Sequence, residues 1–162
     1  MGRDARSAKN NIYYKARIEA SGYNEKLKSR ESAAEMLGVH ASTLADYELG
    51  IVKCPQPDKV VLMADLYNAP ELLNRYCTDE CPIGCSCVAP MKVETLDRVT
   101  IKTLSAIKSL DEVKNELLDI TSDGDVDDSE HERFIDVMDT LEQIVVAAGE
   151  LRLWFKKNRG RR

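Results

Sequence analysis

Apolar residues recur every three to four positions along most of the chain, and this spacing predicts an all-α protein. The first expected helix, Asn11 to Ala20, puts Tyr14 and Ile18 on its apolar face and turns Lys15 and Arg17 away, before Ser21-Gly22 closes it. The polar, basic stretch GYNEKLK connects it to a helix opening at Ser29, whose hydroxyl suits an N-cap. Ala33, Ala34 and Leu37 form the inward stripe of that helix. Gly38 then supplies the positive φ that ends a helix without steric cost, and Val39 plugs the turn. A third helix runs from about Ala41 to Leu49, with Leu44 inward and Glu48 one turn further on. The small Ala34 suits a close crossing of the two helices. Beyond the prolines of IVKCPQP, the stretch Pro57 to Tyr67 reads as a helix with Val60, Val61, Met63, Ala64 and Tyr67 at core positions. Pro70 fits the first turn of a fifth helix that ends near Tyr76.

The composition changes after Tyr76. Residues 77–92 hold Cys77, Cys81, Cys85 and Cys87 together with Pro82, Gly84 and Pro90, and read as a Cys/Pro-rich linker. Thiolates this close could hold zinc or an iron–sulfur cluster, could pair as disulfides, or could stay reduced. The C-x3-C-x3-C-x-C spacing is not a usual structural-zinc pattern, and no His accompanies it. From residue 93 to 162 the helical pattern resumes as a hairpin. Leu96, Val99, Leu104, Ile107 and Leu110 form one stripe, and a capping box at Ser109 to Glu112 is expected to break and restart the helix. A second capping box, Ser129 to Glu132, is expected to open the last helix. There Val137, Leu141, Ile144, Ala148, Leu151 and Phe155 alternate steps of four and three. Ile135, Met138, Val145 and Val146 widen that face beyond what a two-helix hairpin buries, which points to packing against a second copy. Trp154 is expected to cover the end of the helical core, and the basic tail after it to fray.

The stretch SRESAAEMLGVHASTLADYELG, residues 29–50, resembles the helix-turn-helix of the XRE (Cro/C1-type) regulators. Ser29, Ala34, Leu37, Gly38, Val39, Thr43, Leu44, Glu48 and Gly50 stand in register with the family pattern, and the likeness extends over about residues 11 to 76. It implies a five-helix Cro/C1-type domain within residues 1–76, followed by a C-terminal helical hairpin. The second helix of the motif would enter the major groove of an operator. By that implication Ser42 and Thr43 meet bases or phosphates, with His40, Ala41, Ala45 and Asp46 on the same exposed surface. Departures fall at the site itself. Arg30 stands where the family usually has Gln, and its fork can reach a phosphate or guanine O6/N7. His40 replaces the usual Ser cap, Asp46 is acidic, and the recognition helix carries no Lys or Arg.

Charge supports a nucleic-acid partner in one half only. The chain has net charge −5. Residues 1–30 nonetheless hold Arg3, Arg6, Lys9, Lys15, Arg17, Lys26, Lys28 and Arg30 against Asp4, Glu19 and Glu25, while the acidic excess lies after Tyr76. A basic front on an acidic body fits a DNA reader with a separate dimerisation or sensing part. Lys26, Lys28 and Arg30 are the candidates for phosphate contacts, which fix register without reading sequence.

One acidic loop offers a different chemistry. Asp119 to Glu130, DITSDGDVDDSE, resembles the twelve-residue EF-hand calcium loop. Asp119, Thr121, Asp123, the Asp125 carbonyl and Glu130 would be its ligands, with Gly124 at the sharp turn. The neutral Thr121 and the lone loop imply weak Ca²⁺ affinity. The other reading is a plain acidic turn with Gly124 and Ser129 as caps. No cofactor is expected to be required.

The N-terminus lacks an apolar signal core and no apolar run approaches a membrane span, so a cytoplasmic protein with reduced thiols is expected. With two His and no nucleophile–base constellation, an enzyme is not. The expected function is a dimeric, sequence-specific transcriptional regulator bound to double-stranded operator DNA, most simply a repressor acting by occlusion. The alternative is a protein-interaction or antitoxin-type adaptor on the same fold, for which Asp46 and the missing recognition-helix cations speak.

Overall fold

The computed structural model describes residues 10–159; the basic positions Arg3, Arg6, Lys9, Arg161 and Arg162 lie outside the described residues. The protein is all-α and divides into two units, residues 1–88 and 89–162.

The N-terminal unit is built from short helices that cross one another. They are α1 (Ile12–Ala20), a 3-10 turn (Glu25–Lys28), α2 (Arg30–Leu37), α3 (Ala41–Glu48), α4 (Pro57–Leu66), α5 (Glu71–Asp79) and the single-turn α6 (Gly84–Cys87). Asn11 caps α1 by accepting from the backbone N–H groups of Tyr13 and Tyr14, and Ser29 caps α2 by accepting from Ser32 N–H. Gly38 adopts φ +62°, the left-handed C-cap expected of it. One continuous core joins Tyr13, Leu27, Ala33, Ala34, Leu37, Leu44, Val60, Met63, Ala64, Tyr67, Leu72 and Tyr76. Alanine fills the crossings because a larger side chain would hold the helices apart.

Two faces differ from the sequence reading. α1 buries Tyr13, Ala16, Arg17 and Ala20, whereas Tyr14 is half-buried and Ile18 exposed. The real stripe has a charged member, which a purely apolar count rejects. Val61 of α4 is exposed, the buried positions being Val60, Met63 and Ala64. The cysteine stretch is also not all linker. Cys77 and Cys81 pack on the core, and α6 closes so tightly on α5 that a Cβ on Gly84 would lie 2.3 Å from the Cys77 carbonyl oxygen. The boundary between the units falls at Val88–Ala89, within residues 77–92.

The C-terminal unit contains α7 (Leu96–Lys108), α8 (Leu110–Ile120) and the long α9 (His131–Arg159). Lys102 pairs with Glu150 and Arg133 with Glu116, so α9 runs antiparallel to α7 and α8. The break between α7 and α8 falls at Ser109 as expected, but without a side-chain cap: the Ser109 hydroxyl donates back to the Ala106 carbonyl at 2.8 Å. The box that opens α9 is Asp127 to Glu130, two residues before the expected one. Asp127 Oδ1 accepts from Ser129 and Glu130 N–H, while Glu130 Oε2 accepts from Asp127 N–H. Asp127 wins because its carboxylate accepts two N–H bonds at once, and Ser129 Oγ donates to it as well. The core is small: Val113, Ile120 and Val137, flanked by Leu117, Phe134 and Leu141. Along α9 the buried line passes through Val137, Ala147, Glu150 and Leu153, so Ala148 and Phe155 of the expected heptad seam are exposed. A straight helix drifts about 20° per heptad from a 3.5-residue repeat, and here that drift decides which residues face inward.

Candidate nucleic-acid interface

The turn between α2 and α3 is fixed from beneath by buried charge. Glu48, at the end of α3, is fully buried. Arg17 of α1 forks onto it, Nε to Oε1 at 2.5 Å and Nη2 to Oε2 at 3.0 Å. Arg17 Nη1 also donates to the carbonyls of Leu27 and Lys28, at 2.7 and 3.1 Å. Arg30, the first residue of α2, adds Nε to Glu48 Oε2 at 2.9 Å. One carboxylate therefore ties α1, the 3-10 turn, α2 and α3 together. Burial alone would lower the Arg17 pKa, but the hydrogen bond and charge of Glu48 outweigh it and hold the guanidinium above its ordinary value. Asn11 Nδ2 adds a bond to the Tyr47 carbonyl at 2.9 Å, fastening α1 to α3 again.

What α3 then turns outward is set by its buried side. Leu44, Ala45, Tyr47 and Glu48 face in, and Ala41 is half-buried against the core. Ala41 and Ala45 were expected on the exposed surface; they lie at the inward edge, 100° per residue from Leu44 and Glu48. His40 and Ser42 are exposed, and Thr43 and Asp46 half-exposed. His40 makes no side-chain cap, so the first N–H groups of α3 are not met by it. The 3-10 turn ahead of α2 carries the exposed Lys26 and Lys28, the latter paired with Glu25 at 2.8 Å in open solvent. Such a pair is worth little and yields readily to a stronger anion. Arg30, expected as a free fork, has Nε committed to Glu48, and its side chain is one-third exposed (33 %).

The helix-turn-helix family model matches residues 23–73 of the chain. That span covers the 3-10 turn and all of α2, α3 and α4, with the first residues of α5. Over this stretch, roughly a third of the chain, the protein is similar to the helix-turn-helix family. The helix-turn-helix is a DNA-binding regulatory module. No curated protein and no solved structure matches the chain. Among the described residues no helix is long and apolar enough to cross a membrane.

The other candidate chemistries are dispersed. In the acidic loop, Asp119 accepts from Arg133 Nη2, Thr121 Oγ1 donates to the Leu117 carbonyl, and Asp123 accepts from Asp125 N–H. Asp125 Oδ1 accepts from Val126 N–H, and Glu130 is held in the capping box. Gly124 takes φ +85° as a turn residue. The carboxylates thus serve neighbouring donors and do not converge. Among the described residues no group of three or more His, Cys, Asp or Glu is placed to hold a metal ion. All five thiols are free, Cys85 donating to the Thr78 carbonyl and Cys87 to that of Ile83. Burial, and then the neighbouring thiols, push the Cys77 thiol up, away from reactive thiolate.

The Arg17–Glu48–Arg30 cluster went unrecognised in the sequence. Its signal was there: Tyr13, Ala16, Arg17 and Ala20 follow the i, i+3, i+4, i+7 rule, and a carboxylate ends α3.

Proposed function

We propose that the chain is a cytoplasmic, dimeric, sequence-specific transcriptional regulator that represses by occupying its operator. The observation that carries this reading is the family match over residues 23–73, on a turn whose outer face presents Ser42, Thr43 and His40. α3 enters the major groove. Ser42 and Thr43 meet base edges or phosphate, and Asp46 accepts from a cytosine amine or excludes the wrong base. Lys26 and Lys28 engage the phosphate backbone, which supplies affinity without reading sequence. Arg30 keeps Nε on Glu48 and offers its remaining N–H groups to the same backbone, so it positions α2 as well as binding. Two copies, joined through the C-terminal unit, present two recognition helices about one DNA turn apart.

The test is selection of binding sites from random duplex DNA by the full chain, followed by affinity measured against salt. A selected sequence should be bound with a log–log slope of about −0.9 per phosphate contacted. Lys26→Ala and Lys28→Ala should lower that slope while leaving sequence preference alone, whereas Ser42→Ala should relax preference. No enriched sequence, together with no salt-dependent retardation, would overturn the reading in favour of an adaptor on the same fold.

A further inference from the structure

A second site, independent of the DNA reading, lies wholly within the C-terminal unit. We propose that the groove between α7 and α9 binds a small organic cation, an ammonium or guanidinium carried on an apolar stem.

The groove has the size of a ligand site. It holds about 760 Å³, within the roughly 300–1,000 Å³ of small-molecule pockets. Short side chains keep it open: Ser105 and Ala106 of α7 face Ala147 of α9, and Pro90 and Val146 add apolar surface.

The α9 wall carries the charge. At 100° per residue Asp139, Val146 and Glu150 fall within about 40° of one another, so they line the groove as one row about 16 Å long. Glu142 stands three residues from Asp139, near enough for one cation to meet both carboxylates. Among the described residues neither Asp139 nor Glu142 has a side-chain hydrogen bond or an ion pair. Glu150 is different. Its side chain is 3 % exposed, and it accepts from Lys92 N–H and Lys102 Nζ. A carboxylate has about four acceptor positions, so about two of these remain open on a buried group.

The balance of donors and acceptors selects the ligand. Ser109 Oγ donates to the Ala106 carbonyl and Thr140 Oγ1 to that of Asp136, which leaves both hydroxyls as acceptors. Lys102 already directs Nζ to Glu94 and Glu150. The lining therefore presents three carboxylates and spare hydroxyl lone pairs, while its ammonium is engaged. An anion is repelled there, whereas a charged N–H donor gains charge-assisted hydrogen bonds. A bare metal ion does not match, because among the described residues no three carboxylates converge on one point. An organic cation needs no such convergence. It brings its own N–H groups to Asp139 and Glu142 and lays its stem on Ala106, Val146 and Ala147.

Isothermal titration calorimetry of the full chain with phenethylammonium and with spermidine tests this, benzoate and glucose serving as anionic and neutral controls. At least one of the cations should bind saturably, one per chain, and neither control should. Asp139→Asn with Glu142→Gln, nearly isosteric, should weaken binding about tenfold or more. Ala106→Leu fills the floor and leaves every charge in place; it should abolish binding at unchanged helical circular dichroism. Should it disturb helicity, the isosteric pair decides alone. Asp111→Asn with Glu132→Gln, exposed acids outside the groove, should leave affinity unchanged. No saturable heat with either cation would overturn the proposal, as would binding that survives the isosteric pair or a well-folded Ala106→Leu. Equal loss in the outside pair would mark general attraction to acidic surface and overturn it too. Tighter binding of benzoate or glucose would overturn the ligand class.

Discussion

In the N-terminal unit every helix from α1 to α5 contributes fully buried residues to one core, and even a carboxylate and a guanidinium are enclosed. The C-terminal unit encloses far less. Its cluster centres on Val113, Ile120 and Val137, while Ile101, Leu104, Ile107, Leu118, Ile135, Met138, Val145 and Phe155 stand exposed. The cause is geometric. Short helices packed around a common centre enclose it, whereas α7 and α8 follow one another along α9 and each helix buries one flank only. A groove of about 760 Å³ between α7 and α9, floored by Ser105, Ala106 and Ala147, marks the same loose contact. The difference teaches that one unit encloses its apolar residues by itself, whereas the other leaves many of its own in contact with water.

The comparison is broken most severely at Glu48. Glu48→Ala leaves Arg17 buried without its counter-charge and frees α1 from α3, for an expected loss of about 3–5 kcal/mol. In urea unfolding followed by circular dichroism, the transition of the N-terminal unit should move and that of the C-terminal unit should not. A common shift of both would mean that the two cores are not separate.

Glu150 is the counterpart in the C-terminal unit. It is buried, accepting from Lys92 N–H at 3.0 Å and from Lys102 Nζ at 2.9 Å. Lys102 is nearly half exposed and can return to water. Glu150→Ala should therefore cost less than the Glu48 change, about 1–3 kcal/mol, confined to the C-terminal transition. An equal or larger loss would contradict the contrast in enclosure.

A smaller effect is expected at the start of α9. Glu130→Ala removes half of the capping box and should cost about 0.5–2 kcal/mol of helix stability. Fraying of the first turn should appear as faster amide exchange at residues 131–134. Unchanged exchange would show that the box contributes nothing.

The smallest change sharpens the picture of the N-terminal core. Tyr67 is buried, its carbonyl accepts from Tyr23 at 2.6 Å, and among the described residues its own hydroxyl finds no partner. Burial pushes that phenol above its ordinary pKa, with the Glu48 charge adding to the effect. Tyr67→Phe removes an unsatisfied group at nearly constant shape, so stability should be unchanged or rise by up to about 1 kcal/mol. A clear loss in thermal unfolding would reveal a water held by that hydroxyl.

Taken by itself, the sequence determined the all-α class, the turn at Gly38, the cap at Ser29, and the break at Ser109. These are local: each depends on residues within one turn, and the chain spacing contains them. The helix-turn-helix was legible for the same reason, since Ala34, Gly38, Val39 and Leu44 lie close in sequence and in space. Tertiary structure alone decided the rest. Arg17 and Glu48 stand 31 positions apart, and only when α1 packs across α3 does a surface-looking arginine become a buried one. That crossing took Arg30 from a free fork to a tethered one and turned Ala45 inward. The acidic loop looked like a cation site because carboxylates were spaced for one. In the fold Arg133 donates to Asp119 and the loop's own backbone N–H groups donate to Asp123, Asp125 and Glu130, a division of donors that spacing along the chain does not record.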